Sequence, residues 1–308
     1  MPPHVFALDA SALAYGRFVR AESGFEVEDL SRRELPEGLF ADGPLGGPMH
    51  DPGLFEPVLG ELLENVEGSV SNASLILPDA WLRVAFTEMS DVPSHGARRD
   101  EALRWKLKRQ VPFRVEKLRL ESIDVTPLPS QEEGQRLLLG FALDAVLSQV
   151  EDAFADCGVR IGRILNSSLA TVDAVQEVVE GVDLAAVVLV SAGGYSLTFT
   201  ERGEPLLHRF RALDSGLAGD AAARLVLRDL KLTRTFLQEQ LPGRELARVL
   251  LISEARQQRF WLDSLEQGLG QVPVALGREQ LPLRGRVPDV SPALLAPMLG
   301  AAGWEIAG

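Results

Sequence analysis

At 308 residues the chain exceeds the usual size of one hydrophobic core, so two lobes or two domains are expected, and 46% hydrophobic with 24% charged residues is ordinary globular composition that leaves little room for long disorder. A formal net charge of −13 argues against a nucleic-acid binder, which needs clustered Lys and Arg against phosphate. Cys157 is the single cysteine, and His4, His50, His95 and His208 are scattered without metal-ligand spacing, which excludes a disulfide framework and makes metal catalysis unexpected.

The chain opens on a strand, Val5 to Asp9, with no basic and apolar leader before it; no later run approaches the roughly 18 apolar residues of a membrane span. A cytosolic protein is expected. The tight turn Ala10-Ser11-Ala12 leads into a second strand, Leu13 to Val19, and proline and glycine between Pro36 and Pro57 read as loop. The spacing of Phe55, Val58, Leu59, Leu62, Leu63 and Val66 predicts a helix. Ser74 to Leu77 and Trp81 to Phe86 read as strands bridged by Pro78-Asp79. Asp100 to Gln110 is a basic helix that must stop before Pro112, with Leu103 and Leu107 turned inward and Trp105 offset from them. Strands at 118–125 and 136–143 flank a polar hairpin, and a helix from Ala145 to Cys157 is closed by Gly158. A short strand from Gly158 and a helix from Ser168 to Glu180 follow.

From Leu184 the pattern restarts. A strand over 186–190 runs into Ser191-Ala-Gly193-Gly194, then an alternating strand from Tyr195 to Thr200 turns at Arg202-Gly203-Glu204 into a third, 205–211. A long helix (221–241), a strand (248–252), a helix (256–268) and a short strand (272–276) precede a small-residue helix, Ser291 to Ala302, with Pro292 in its first turn. The strand–turn–strand opening thus occurs twice, which points to a duplicated α/β architecture with a cleft between lobes. No G-x-S-x-G elbow and no G-x-x-x-x-G-K-[ST] loop supplies a separate catalytic centre.

The stretch from Asp100 to Phe113, with Trp105 and Pro112-Phe113, resembles the corresponding helix of the PilM family, the actin-like cytoplasmic components of type IV pilus assembly. Phe141 to Val146, Phe154 to Ile161, Asn166 to Ala170, Gly203 to Phe210 and Ala293 to Gly303 resemble further family segments in the same order, nearly end to end. The resemblance implies an actin-like ATPase (ribonuclease H-like, duplicated) α/β fold. Its first lobe would take residues 1–182 plus 288–308, with an inserted subdomain at about 40–130, and its second lobe 183–287.

Actin-like ATPases grip phosphate and magnesium with two D-x-G turns and the adenosine with a Gly-Gly pair. Here the first turn reads Asp9-Ala10-Ser11, the second Ser191-Ala192-Gly193, and Ser253-Glu254 stand where the glycine pair belongs. The resemblance therefore implies a degenerate nucleotide site at Asp9, Ser11, Ser191 and Gly193, no catalytic residue, no metal and no cofactor. An ATP-binding protein whose Ser11 and Ser191 still reach the phosphates of Mg-ATP is the alternative. What remains is binding: a first-lobe groove for the N-terminal cytoplasmic peptide of a PilN-like inner-membrane protein, with Trp105, Lys108, Arg109, Pro112 and Phe113 as partner-binding residues. The chain would then be cytoplasmic and reach the inner membrane through its partners, pilus platform or motor proteins. A subunit like the cytoplasmic domain of GspL, from type II secretion, is the other alternative.

Overall fold

A computed structural model describes the chain apart from residues 1–3, 44, 91, 94–95, 110, 112–113, 128–133, 192, 214–219, 286–288 and 304–308. In chain order the elements are β1 (His4–Leu8), β2 (Ala12–Arg20), β3 (Phe25–Glu34), α1 (Phe55–Glu64), β4 (Asn72–Leu77), β5 (Arg83–Met89), α2 (Ala97–Lys108), β6 (Leu118–Val125) and β7 (Gln135–Leu143). They continue with α3 (Asp144–Asp156), β8 (Arg160–Asn166), α4 (Ser167–Ala174), α5 (Gln176–Val179), β9 (Ala185–Ser191), β10 (Gly194–Glu201) and β11 (Glu204–Ala212). The last are α6 (Asp220–Gln240), β12 (Arg248–Ile252), α7 (Gln258–Leu269), β13 (Pro273–Ala275), β14 (Leu283–Arg284) and α8 (Pro292–Gly303).

The first sheet runs β3-β2-β1-β4-β8, with β14 added beyond β3; the second runs β11-β10-β9-β12-β13. In each, a three-strand antiparallel meander is followed by two parallel strands. The helices repeat as well, with α1 matching α6, α3 matching α7 and α4 matching α8 by their places between strands. Into the first copy, between β4 and α3, is inserted a third sheet of order β5-β7-β6 that occupies Arg83 to Leu143.

Side-chain parity sorts the core into layers, because successive residues of a strand face opposite sides. On β1, Phe6 and Leu8 pack under α1 and α3 with Phe55, Leu59 and Phe154, while Val5 faces α4 and α8. On β9, Ala186, Val188 and Val190 face α6 and α7, with Leu230 and Trp261; Val187 and Leu189 face the same α4–α8 layer. The two sheets therefore share one helical layer, and both central strands are apolar on both faces, as parallel-sheet interiors require. That shared layer is tight. A Cβ built on Gly300 of α8 would collide with the Ala170 carbonyl oxygen of α4, so glycine is what lets the two backbones touch.

Three sequence expectations need correcting. β3 was not anticipated: its FEVEDLSRRE run is charged because no residue of the strand is fully buried. Trp81 does not begin a strand; Trp81 N and Leu82 N both donate to the Pro78 carbonyl, at 2.9 and 3.0 Å, forming a turn, and the indole tilts against Phe40, 4.5 Å between centroids. The helix expected over 168–180 breaks at Val175 into α4 and α5, where the backbone leaves helical geometry.

Gly300→Ala should destabilise the protein by about 1–3 kcal/mol, because the α4–α8 layer must spread to admit one methyl group. Thermal unfolding of the variant measures it, and an unchanged midpoint would show that the layer can give.

Candidate functional site: an interlobe cleft and a first-lobe groove

The β1–β2 and β9–β10 turns are equivalent by the duplication, and they face each other across the interlobe cleft. Asp9, Ser11, Ser191 and Gly193 all line one cavity of about 300 Å³, together with Arg32, Ser167 and a largely apolar wall that includes Leu8, Ile76, Leu189 and Leu294. The structure thus brings together the four residues singled out for a degenerate nucleotide site. Their polar atoms are turned back on the protein. Asp9 Oδ1 accepts from Ser11 N (2.7 Å), Ser11 Oγ (2.8 Å) and Ala12 N (2.9 Å), an Asx-type turn that closes the β1–β2 hairpin. Ser191 Oγ donates to the Gly194 carbonyl at 3.3 Å.

The glycine pair separates into two roles. Gly194 has φ +149°, and a Cβ there would fall on the Arg211 carbonyl oxygen, so the pairing of β10 with β11 demands glycine. A Cβ on Gly193 would meet only Ala80 Cβ at an ordinary 3.8 Å. Ser253 is buried with its hydroxyl on the Glu254 carbonyl at 3.4 Å, and Glu254 pairs with Arg256 at 2.7 Å outside the lining of the cleft. Among the described residues no three His, Cys, Asp or Glu side chains converge to hold a metal ion. This donor set does not fit a magnesium–phosphate group: one carboxylate, half engaged by its own turn, faces a hydroxyl where a second is needed.

Beside the cleft lies a buried polar cluster that sequence reasoning missed. Asp79, 2% exposed, follows β4 and accepts from Ser167 Oγ (2.7 Å), Ser168 Oγ (2.6 Å) and Asn166 Nδ2 (3.2 Å). Asn166 is the N-cap of α4, its Oδ1 accepting from Ser168 N and Leu169 N at 3.0 Å each, so the carboxylate also sits at the positive end of a helix. From the second lobe, His208 Nε2 of β11 stands 3.2 Å from Asp79 Oδ1, off the hydrogen-bonding direction, while its Nδ1 meets Thr198 Oγ1 at 3.0 Å. Ser168 Oγ also touches Ser196 Oγ of β10. Burial by itself pushes the Asp79 carboxyl up, but His208 and the two serine hydroxyls outweigh it and hold the group below its ordinary value. A second tie joins the inserted sheet to the second lobe: buried Arg136 of β7 donates to the Leu206 carbonyl and lies over the Phe86 ring, 4.4 Å from its centroid.

A groove of about 510 Å³ runs between β8, which is the free edge of the first sheet, and one face of the inserted sheet. Its lining includes Val84, Leu138, Gly140, Ile161, Ile164 and Leu169. Here β7 shows strict parity. Leu138, Gly140 and Ala142 line the groove, whereas Leu137 and Leu139 pack with Leu103 of α2 and Phe141 packs with Leu107. The helix α2 is therefore on the opposite face of the sheet from the groove. It carries Trp105, 61% exposed, with the Arg109 guanidinium 5.6 Å from its ring centroid, and exposed Lys108. Of the residues named for partner binding, Trp105, Lys108 and Arg109 thus share one surface away from the groove, and Pro112 and Phe113 lie outside the described residues. The groove itself left no motif in the sequence, because its lining comes from β5, β6, β7, β8, α3 and α4.

No family model and no curated protein matches this sequence. Among solved structures, the fold is similar to the PilM-PilN type IV pilus biogenesis complex, with a TM-score of 0.76 at 19% identity over 98% of both chains. It is also similar to a protein from Bacteroides thetaiotaomicron with an actin-like ATPase fold and unknown function, TM-score 0.54 at 9% identity over 89% of this chain and 91% of that one. A third is the cytoplasmic domain of EpsL, an inner membrane component of the type II secretion system of Vibrio cholerae, TM-score 0.51 at 11% identity over 98% and 95%. The chain has the actin-like fold.

Asp79 gives a pH signature. Its folded-state pKa lies below the unfolded one, so its contribution is present above about pH 4 and lost as pH falls through the folded value. Asp79→Asn should lower the unfolding midpoint at pH 7, and the gap from wild type should narrow below about pH 4, where both carry a neutral group. Calorimetric scans across that range test this; a gap that stays constant with pH would rule it out.

Proposed function

We propose that the chain is a cytoplasmic scaffold of the type IV pilus inner-membrane platform, that it binds the N-terminal cytoplasmic peptide of a PilN-like protein, and that it does not hydrolyse ATP. The groove carries this reading. It pairs an unoccupied strand edge, β8, with an apolar floor, so an extended peptide can add main-chain hydrogen bonds along the edge and place alternate side chains against Leu138, Ile161 and Ile164. Arg119, bonded to Glu151 at 2.7 Å and Asp144 at 2.8 Å, holds β6 against α3 and fixes one rim. The similarity to the PilM-PilN complex extends over nearly the whole chain and supports the same partner class.

Loss of ATP turnover is supported by the cleft, where Asp9 serves its own hairpin and Ser191 replaces the second acid. No helix among the described residues is long and apolar enough to cross a membrane, so the proposed attachment is through the partner. A type II secretion subunit is the second reading, favoured by the EpsL similarity and by the same exposed strand edge.

Gly140 offers a clean probe, because a Cβ there meets nothing within 4 Å and its backbone is open to any residue. Gly140→Phe should fill the groove and weaken binding of the fluorescein-labelled PilN-like N-terminal peptide at least about tenfold, with thermal stability retained. Equal affinity in fluorescence anisotropy would remove the groove from the binding site. Titration calorimetry with Mg-ATP should give no heat at micromolar concentrations; a micromolar dissociation constant would defeat the degenerate-cleft reading.

A further inference from the structure

We propose that the outer face of α2 is a contact surface for an anionic membrane. Between Arg104 and Lys117 stand Lys106, Lys108, Arg109, Arg114 and Lys117 against the single acid Glu116, besides Arg104, which pairs with Asp100 at 3.5 Å, in a chain whose net charge is −13. Three of the four lysines in the sequence fall in this stretch. The short 3-10 turn from Val115 to Lys117 is tied to α2 by the Arg104 guanidinium, which donates to the Val115 carbonyl, so the two basic segments form one patch. Lys108 has only a long, exposed pairing with Glu116 at 3.9 Å. Within the patch Trp105 is 61% exposed, with the Arg109 guanidinium 5.6 Å from its ring centroid, and one side of the indole lines a shallow cavity shared with Glu101 and Lys106.

An exposed amphipathic aromatic flanked by Lys106, Lys108 and Arg109 matches the headgroup region, where the ring sits among the lipids and the cations meet phosphates. The cavity that Trp105 lines on this chain carries Glu88, Glu101 and Arg98 beside Met89 and Ala102, so it offers no apolar socket for a side chain inserted by a protein partner. The rest of the molecule selects the orientation. Its acidic surface is repelled by an anionic leaflet, so this patch is the side that can approach. The inference rests on the proposed function only for its setting, since a groove holding the short cytoplasmic tail of a membrane protein must itself lie near the bilayer.

Sedimentation of the full chain with phosphatidylglycerol–phosphatidylcholine vesicles, against pure phosphatidylcholine, tests the proposal without any partner. Wild type should pellet with the anionic vesicles alone and be released at about 1 M salt, where screening extends only about 3 Å. Because each cation near the surface is worth roughly fivefold in partitioning, the Lys106→Glu, Lys108→Glu, Arg109→Glu triple variant should lose at least about a hundredfold. Trp105→Ala should lose several-fold. Both variants should keep wild-type circular dichroism and wild-type affinity for the labelled groove peptide, so failure of the lipid surface and failure of the groove are read separately. Equal sedimentation of wild type and triple variant would overturn the proposal. So would absence of vesicle binding combined with an acidic protein that co-purifies with wild type and is lost from the triple variant.

Discussion

A carboxylate with no access to water has to be surrounded by donors, and Asp79 meets that demand by recruiting both lobes. Ser167, Ser168 and Asn166 reach it from the start of α4 and His208 from β11, so the first turn of α4 is fixed against the β4 end on one side and the second lobe on the other. The helix so anchored belongs to the one layer that both sheets share. Removing the acid would orphan the buried Ser167 hydroxyl and take one partner each from Ser168 and Asn166, at about 1–3 kcal/mol for a donor left without an acceptor.

The same anchor organises the two concave surfaces. Ser167 lines the cleft while its neighbour Asn166, which also holds the Leu82 carbonyl at 2.6 Å, lines the groove. The cleft is consequently framed by buried ties, the Asp79 cluster and Arg136. Serine, histidine and a buried guanidinium cross between the lobes, in the Ser168–Ser196, His208–Asp79 and Arg136–Leu206 contacts.

How much of this was legible depended on whether a residue's role is local. Strands β1, β2, β9, β10 and β11 announced themselves as apolar runs punctuated by turn residues, and α3 ended at Gly158 as its sequence requires. The two opposing turns of the cleft were readable because each is a contiguous tripeptide. Strand β3 was not, since Phe25–Glu34 is half-exposed along its length and its acids and bases mask the alternation. Asp79 looked like a turn residue after proline, and nothing in Pro78-Asp79 reveals that a helix cap from Asn166 and a histidine from the other lobe close over it. Long-range burial of this kind is invisible to periodicity. The groove was illegible for the same reason, being assembled from residues of six elements spread between Leu82 and Asp173.

The parity of β7 has a consequence for how such a protein can change. Alternate side chains of one strand build the floor of the groove and the seat of α2, yet the pleat keeps the two sets from touching. Substitutions at 138, 140 and 142 would reshape the groove while 137, 139 and 141 continue to hold the helix. One face of the sheet can therefore be rebuilt without disturbing the other, whereas inserting a single residue into this strand would scramble both at once.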